Sequence, residues 1–105
     1  MKNILNNIPD DLRQERFETL VTTGTVRIER IISKGHASPA GEWYDQERNE
    51  FVLVLKGAGR LQFEDGRVIS MEAGDWLEIP AQARHRVIWT DETSETVWLA
   101  VHYQG

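Results

Sequence analysis

The chain has no cysteine, three prolines and three histidines in 105 residues. Without cysteine there is no disulfide framework, thiolate zinc site, iron–sulfur cluster or cysteine nucleophile, and nothing calls for an oxidising compartment. Any metal site must draw on nitrogen and oxygen, and His36, His85 and His102 are the whole supply of imidazole. Long apolar runs are also missing. The longest, Phe51 to Leu55, is far short of a membrane span, and the Asn-rich N-terminus has no signal-peptide core. Positive charge is scarce as well, with 12 Lys and Arg against 17 Asp and Glu and a net charge of -5. The deficit is spread along the chain, so no basic stripe offers itself to nucleic acid or an anionic membrane. These absences leave a soluble cytoplasmic protein with one small core as the expectation.

What is present is mostly strand pattern. Residues 1–9 read as irregular, and Asp10 to Val21 reads as one short helix with Asp10 as its N-cap and Leu12, Phe17, Leu20 and Val21 near one face. From Thr25 the period changes to two. Val26 and Ile28 alternate with Arg27 and Glu29, as in a strand with one wet side. Further short strands follow at Phe51–Leu55, Leu61–Glu64, Val68–Met71, Trp76–Ile79, Arg84–Trp89 and Thr96–Tyr103, separated by Gly-, Asp- and Pro-containing turns. Asp65-Gly66 signals a two-residue hairpin turn. About eight short strands at this spacing imply an antiparallel sandwich or barrel. We read residues 1–24 as a segment with a short helix packed on a barrel formed by residues 25–105.

Period two also places chemistry. Glu50 shares a face with Val52 and Val54, and His85 with Val87 and Trp89. If the valines face a core, an inward carboxylate and an inward imidazole come with them. Such groups are costly to bury singly, and they fit a shared cation or a shared hydrogen-bond network. The plainer alternatives are a hydrogen-bonded core histidine and a carboxylate paired with Arg48 or Arg84. His36 reads as a loop residue, His102 could take either face of the last strand, and Arg84 and Arg86 should point away from His85 onto an outer face.

Two stretches, Gly41 to Gly57 and Gly74 to His85, resemble the cupin superfamily. Its first motif is a glycine, an H-x-H pair, three or four residues, a glutamate, six residues and a glycine; Glu50 and Gly57 match its end. Its second runs from a glycine through five residues to a proline, then x-G, two residues, histidine, three residues and asparagine; Gly74, Pro80 and His85 match it. Covering about residues 25–103, the resemblance implies an all-β jelly-roll barrel, the double-stranded β-helix. The H-x-H pair is missing, the second-motif glycine is Gln82 and its asparagine is Trp89.

By resemblance, the metal ligands would be Glu50 and His85, with Asp45 standing in for a missing histidine. That oxygen-rich, one-nitrogen set suits Mn, Fe or Mg better than copper, and the expected cofactor is a divalent ion such as Mn, Fe, Ni or Zn. Trp43, Tyr44, Gln46 and Trp89 would line a substrate pocket. The implied function is binding of a divalent metal and a small polar metabolite inside the barrel; the alternative is a metal-free cupin that binds or senses a small molecule. Small cupins commonly pair, which makes a homodimer the expected assembly, with Trp98 and Tyr103 as candidate interface residues.

Overall fold

The computed structural model describes residues 1–104 and contains eight strands. They are β1 (Arg16–Thr22), β2 (Val26–Ser33), β3 (Asn49–Lys56), β4 (Ala58–Phe63), β5 (Val68–Glu72), β6 (Trp76–Ile79), β7 (His85–Thr90) and β8 (Thr96–Tyr103). A five-stranded sheet in the order β1-β2-β8-β3-β6 faces a three-stranded sheet in the order β5-β4-β7, and every pairing is antiparallel. No helix among the described residues is long and apolar enough to cross a membrane.

The expected N-terminal helix is not formed. Its second half is β1, which pairs with β2 from Arg16 opposite Ile32 to Thr22 opposite Arg27. An isolated helix of about ten residues is marginal, whereas a run containing Phe17, Thr19, Val21 and Thr22 suits a strand and finds the otherwise open edge of β2. The Asp65-Gly66 turn also differs from expectation. Gly66 alone of the two has positive φ, at 97°, and Gly66 N–H donates to the Phe63 carbonyl while Phe63 N–H donates to Arg67. The loop is therefore a turn closed by a left-handed glycine instead of a two-residue primed turn.

Between the sheets lies the core of Val52, Val54, Leu61, Phe63, Met71, Ile79 and Trp98. Gly59 is demanded by this packing: a Cβ there would stand 2.5 Å from Trp98 Cζ2. The indole Nε1 donates to Ser33 Oγ at 3.2 Å. Trp98 is thus a core residue, 3% exposed.

The expected alternation holds in β3, where Glu50, Val52 and Val54 are all buried. In β2 its meaning is inverted. The polar residues Arg27 and Glu29 face the interior with Ile31, and the opposite face is covered at Arg30, whose guanidinium bonds Glu18 and the carbonyls of Ile4, Asn6 and Asn7.

Candidate functional site

A cavity of about 260 Å³ occupies one end of the barrel. Ile31, Val52, Leu61, Ile79, Val87 and Trp98 form its apolar wall; Glu15, Arg27, Glu29, Tyr44, Gln46, Glu50, His85 and His102 supply its polar groups.

Glu50 and His85 meet across the two sheets. Glu50 begins the inward run of β3 and His85 begins that of β7, and His85 Nε2 stands 3.4 Å from Glu50 Oε1 with both side chains at least nine-tenths buried. The other ring nitrogen, Nδ1, lies 2.9 Å from the Ala83 carbonyl oxygen. A carbonyl only accepts, so Nδ1 carries a proton and Nε2 is left to face the carboxylate. Gln46 Nε2 donates to the same Glu50 oxygen at 2.7 Å.

Burial pushes the Glu50 carboxyl up and the His85 imidazole down, and in both cases the partner wins. Glu50 is held below the usual carboxylate range by His85, His102 and Gln46; His85 is raised above the ordinary histidine range by Glu50 and the Ala83 carbonyl. The pair therefore favours carboxylate and imidazolium. Tyr44 caps it, pairing its backbone with His85 and setting its ring 5.5 Å from the imidazole. Burial, followed by the Glu15 charge, raises the phenol.

A second pair lies beside the first. His102 Nε2 is 3.0 Å from Glu29 Oε1, and Glu29 Oε2 is 3.7 Å from Arg27 Nε. The register explains the proximity. Arg27 lies opposite His102 across β2 and β8, and His102 lies opposite Glu50 across β8 and β3. Arg27, His102 and Glu50 thus form one row on the inner face of three adjacent strands. Arg27, Glu29 and His102 were not singled out as a site in the sequence. Arg27 and Glu29 show in the sequence as the polar half of the β2 alternation, which looks the same whether it faces water or a cavity, and His102, open to either face of the last strand, takes the inner one.

Of the five other candidate site residues, Tyr44 and Gln46 join Glu50 and His85 in the cavity. Trp43, Asp45 and Trp89 do not. Asp45 is exposed in the loop before β3, and Trp43 carries the Arg86 guanidinium 5.4 Å from its ring centre. Trp89 is displaced by an irregular register: Leu61 lies opposite Val87, but Arg60, the next residue back, lies opposite Trp89. The extra residue in β7 breaks the alternation, so His85, Val87 and Thr90 share the inner face while Trp89 turns out to stack with Arg60 at 4.7 Å. His36 is a loop residue, as expected, bonded to the backbone of Lys34 and Arg13. Arg84 faces outward in an ion pair with Glu64, and Arg86 bonds Gln62.

The donor set does not fit the metal site that the resemblance implies. Asp45 stays outside, and among the described residues no group of three or more His, Asp or Glu converges to hold an ion.

The antiparallel two-sheet barrel with an inward glutamate and histidine at one end defines a cupin. The family model of the cupin domain matches residues 29–102, and the chain belongs to that family. A solved structure from Ralstonia eutropha JMP134, described as a "putative mannose-6-phosphate isomerase", is 42% identical, with a TM-score of 0.95 over 100% of this chain and 98% of that one. A cupin superfamily protein from Desulfitobacterium hafniense (17% identity, TM-score 0.77, 93% and 84% covered) and an RmlC-like cupin from Desulfovibrio desulfuricans (21%, 0.76, 97% and 94%) share the fold. A search of curated proteins finds no match.

Proposed function

We propose that this cupin binds a small hydroxyl-bearing metabolite inside the barrel without a metal, and that Glu50 and His85 orient it. The observation carrying this reading is the buried carboxylate–imidazole pair standing 3.4 Å apart at the wall of a cavity. That spacing is longer than a good hydrogen bond, so a ligand hydroxyl that donates to Glu50 and accepts from His85 improves on the direct contact. A volume near 260 Å³ is below the usual range of about 300–1,000 Å³ for drug-sized ligands, which favours something the size of a monosaccharide or a small acid.

The same pair suits proton transfer, with Glu50 as the base and His85 as the acid. Aldose–ketose interconversion, which needs one group to carry a proton between neighbouring carbons and another to protonate oxygen, is the reaction class supported by the likeness to the Ralstonia protein. Titration calorimetry with mannose and mannose 6-phosphate tests the binding reading. Saturable binding of either that Glu50→Gln weakens by about tenfold or more supports it; unchanged affinity in Glu50→Gln overturns it.

The metal-dependent reading has in its favour that Glu50 and His85 occupy the matching motif positions and meet. Protein purified without chelator would then carry a transition metal, and Mn, Fe, Ni or Zn would raise its unfolding midpoint. We expect neither. Pairing of two copies is proposed through the outer face of β3 and β6, where Trp76, 63% exposed, stacks on Phe51. Light scattering that finds only monomer overturns that part.

A further inference from the structure

Arg27 has a role that the Glu50–His85 pair does not explain. Its Nε is buried without a hydrogen-bond partner, the one such side-chain nitrogen or oxygen among the described residues. A buried donor left unpaired costs free energy, so its retention beside a cavity asks for an acceptor that arrives with the ligand. The nearest carboxylate does not serve. Glu29 Oε2 is 3.7 Å away, beyond hydrogen-bond reach, while Glu29 Oε1 is taken by His102. The Arg27 side chain is 43% exposed overall, which places it where a ligand enters.

Its place in the register gives the geometry. Arg27 and Glu50 are the two ends of the inner-face row that has His102 at its middle, two strand spacings or roughly 10 Å apart in backbone terms. Both side chains reach into the cavity and shorten that span. A molecule that satisfies both ends carries hydroxyls at one and a hydrogen-bonding anion at the other. The guanidinium fork is matched to such a group.

We infer that Arg27 is the anion subsite of the barrel and that the ligand is a small hydroxylated oxyanion, with its carboxylate or phosphate at Arg27 and its hydroxyls at Glu50 and His85. This rests on the reading that the barrel binds a small polar molecule. The cavity carboxylates Glu15 and Glu29 oppose an anion; Glu15 accepts a hydrogen bond from Ser33 and Glu29 one from His102, so each is already engaged.

The test compares three probes by titration calorimetry at low salt: mannose, mannose 6-phosphate and mannonate. One or both oxyanions should bind about tenfold or more tighter than mannose, and Arg27→Gln should bring that ratio down towards one, with Arg27→Lys in between. Which oxyanion shows the preference separates phosphate from carboxylate. Equal affinity for mannose and both oxyanions, or an Arg27→Gln variant that keeps the preference, overturns the inference. Should Arg27→Gln not fold, the wild-type ratio and its reduction in Arg27→Lys decide: a ratio unchanged in Arg27→Lys overturns the inference. If mannose binds in a Glu50-dependent way and the oxyanions gain nothing, the barrel reading stands and the Arg27 subsite fails; if no probe binds, both fail.

Discussion

The cavity holds two carboxylate–imidazole pairs that are built differently. Glu50 and His85 come from facing sheets and meet in the interior, with His85 4% and Glu50 8% exposed. Glu29 and His102 come from adjacent strands of one sheet, and their cluster includes the half-exposed Arg27. The first pair links the two layers of the barrel where water is excluded. The second lies within a single sheet and is nearly as buried, at 7% and 14% side-chain exposure, but it has the half-exposed Arg27 guanidinium beside it to share its charge. Equal chemistry in the two places therefore has unequal consequences, because a charge left behind costs less where a further charged group stands beside it.

Removing the interior carboxylate should have the largest effect. Glu50→Ala is expected to lower unfolding stability by about 3 kcal/mol, since it strands both His85 and the Gln46 amide. Urea unfolding measures it, and a loss below about 1 kcal/mol would mean that the inter-sheet pair holds no more than a surface ion pair does. Glu29→Ala is expected to cost less, about 1 kcal/mol, because Glu29 accepts a single hydrogen bond, from His102, whereas Glu50 holds both His85 and Gln46. A loss equal to that of Glu50→Ala would erase the distinction drawn between the two pairs.

The pH dependence sharpens the same contrast. His85 titrates above its ordinary 6.5, so its contribution to stability is complete below 6.5 and is lost as pH rises through the raised value. Glu50 titrates below its ordinary 4.5, so its contribution is present above 4.5 and is lost as pH falls through the lowered value. The pair is therefore strongest between 4.5 and 6.5. Unfolding free energies across this window and into alkali should fall on the alkaline side for the wild type, with that slope reduced in Glu50→Gln; equal slopes would show that Glu50 does not set the His85 value. The smallest effect is expected at Asp45. Being exposed and outside the cavity, Asp45→Ala should change stability and ligand affinity within about 0.5 kcal/mol. A large loss of affinity there would bring Asp45 back into the site.

How far the site was legible follows from the same geometry. Glu50 and His85 stand in locally regular strands whose apolar neighbours reveal their direction, so alternation alone turned both inward. Trp89 was misplaced by the extra residue in β7, which nothing in the local pattern marks. Arg27 and Glu29 were visible as the polar half of an alternating strand, but which half meets the core depends on what packs on each side. Here the N-terminal segment covers the outer face at Arg30, and the inner face borders a cavity able to hold charge.

The amino-acid sequence by itself determined the strand-rich class, the turns at Gly57 and Gly74, the inward run of Glu50, Val52 and Val54, and the motif spacing that marks a cupin. These are properties of neighbouring residues and of chain stereochemistry. Only the tertiary structure decided that β1 is a strand, that Trp98 is core and that Asp45 stays outside. It also decided that His102 lies between Arg27 and Glu50. The first, second and last of these depend on a partner far away in the chain: the open edge of β2, the gap left by Gly59, and the register that sets β8 between β2 and β3. Local pattern can orient a side chain within its own strand; only the pairing of distant strands determines what it meets there.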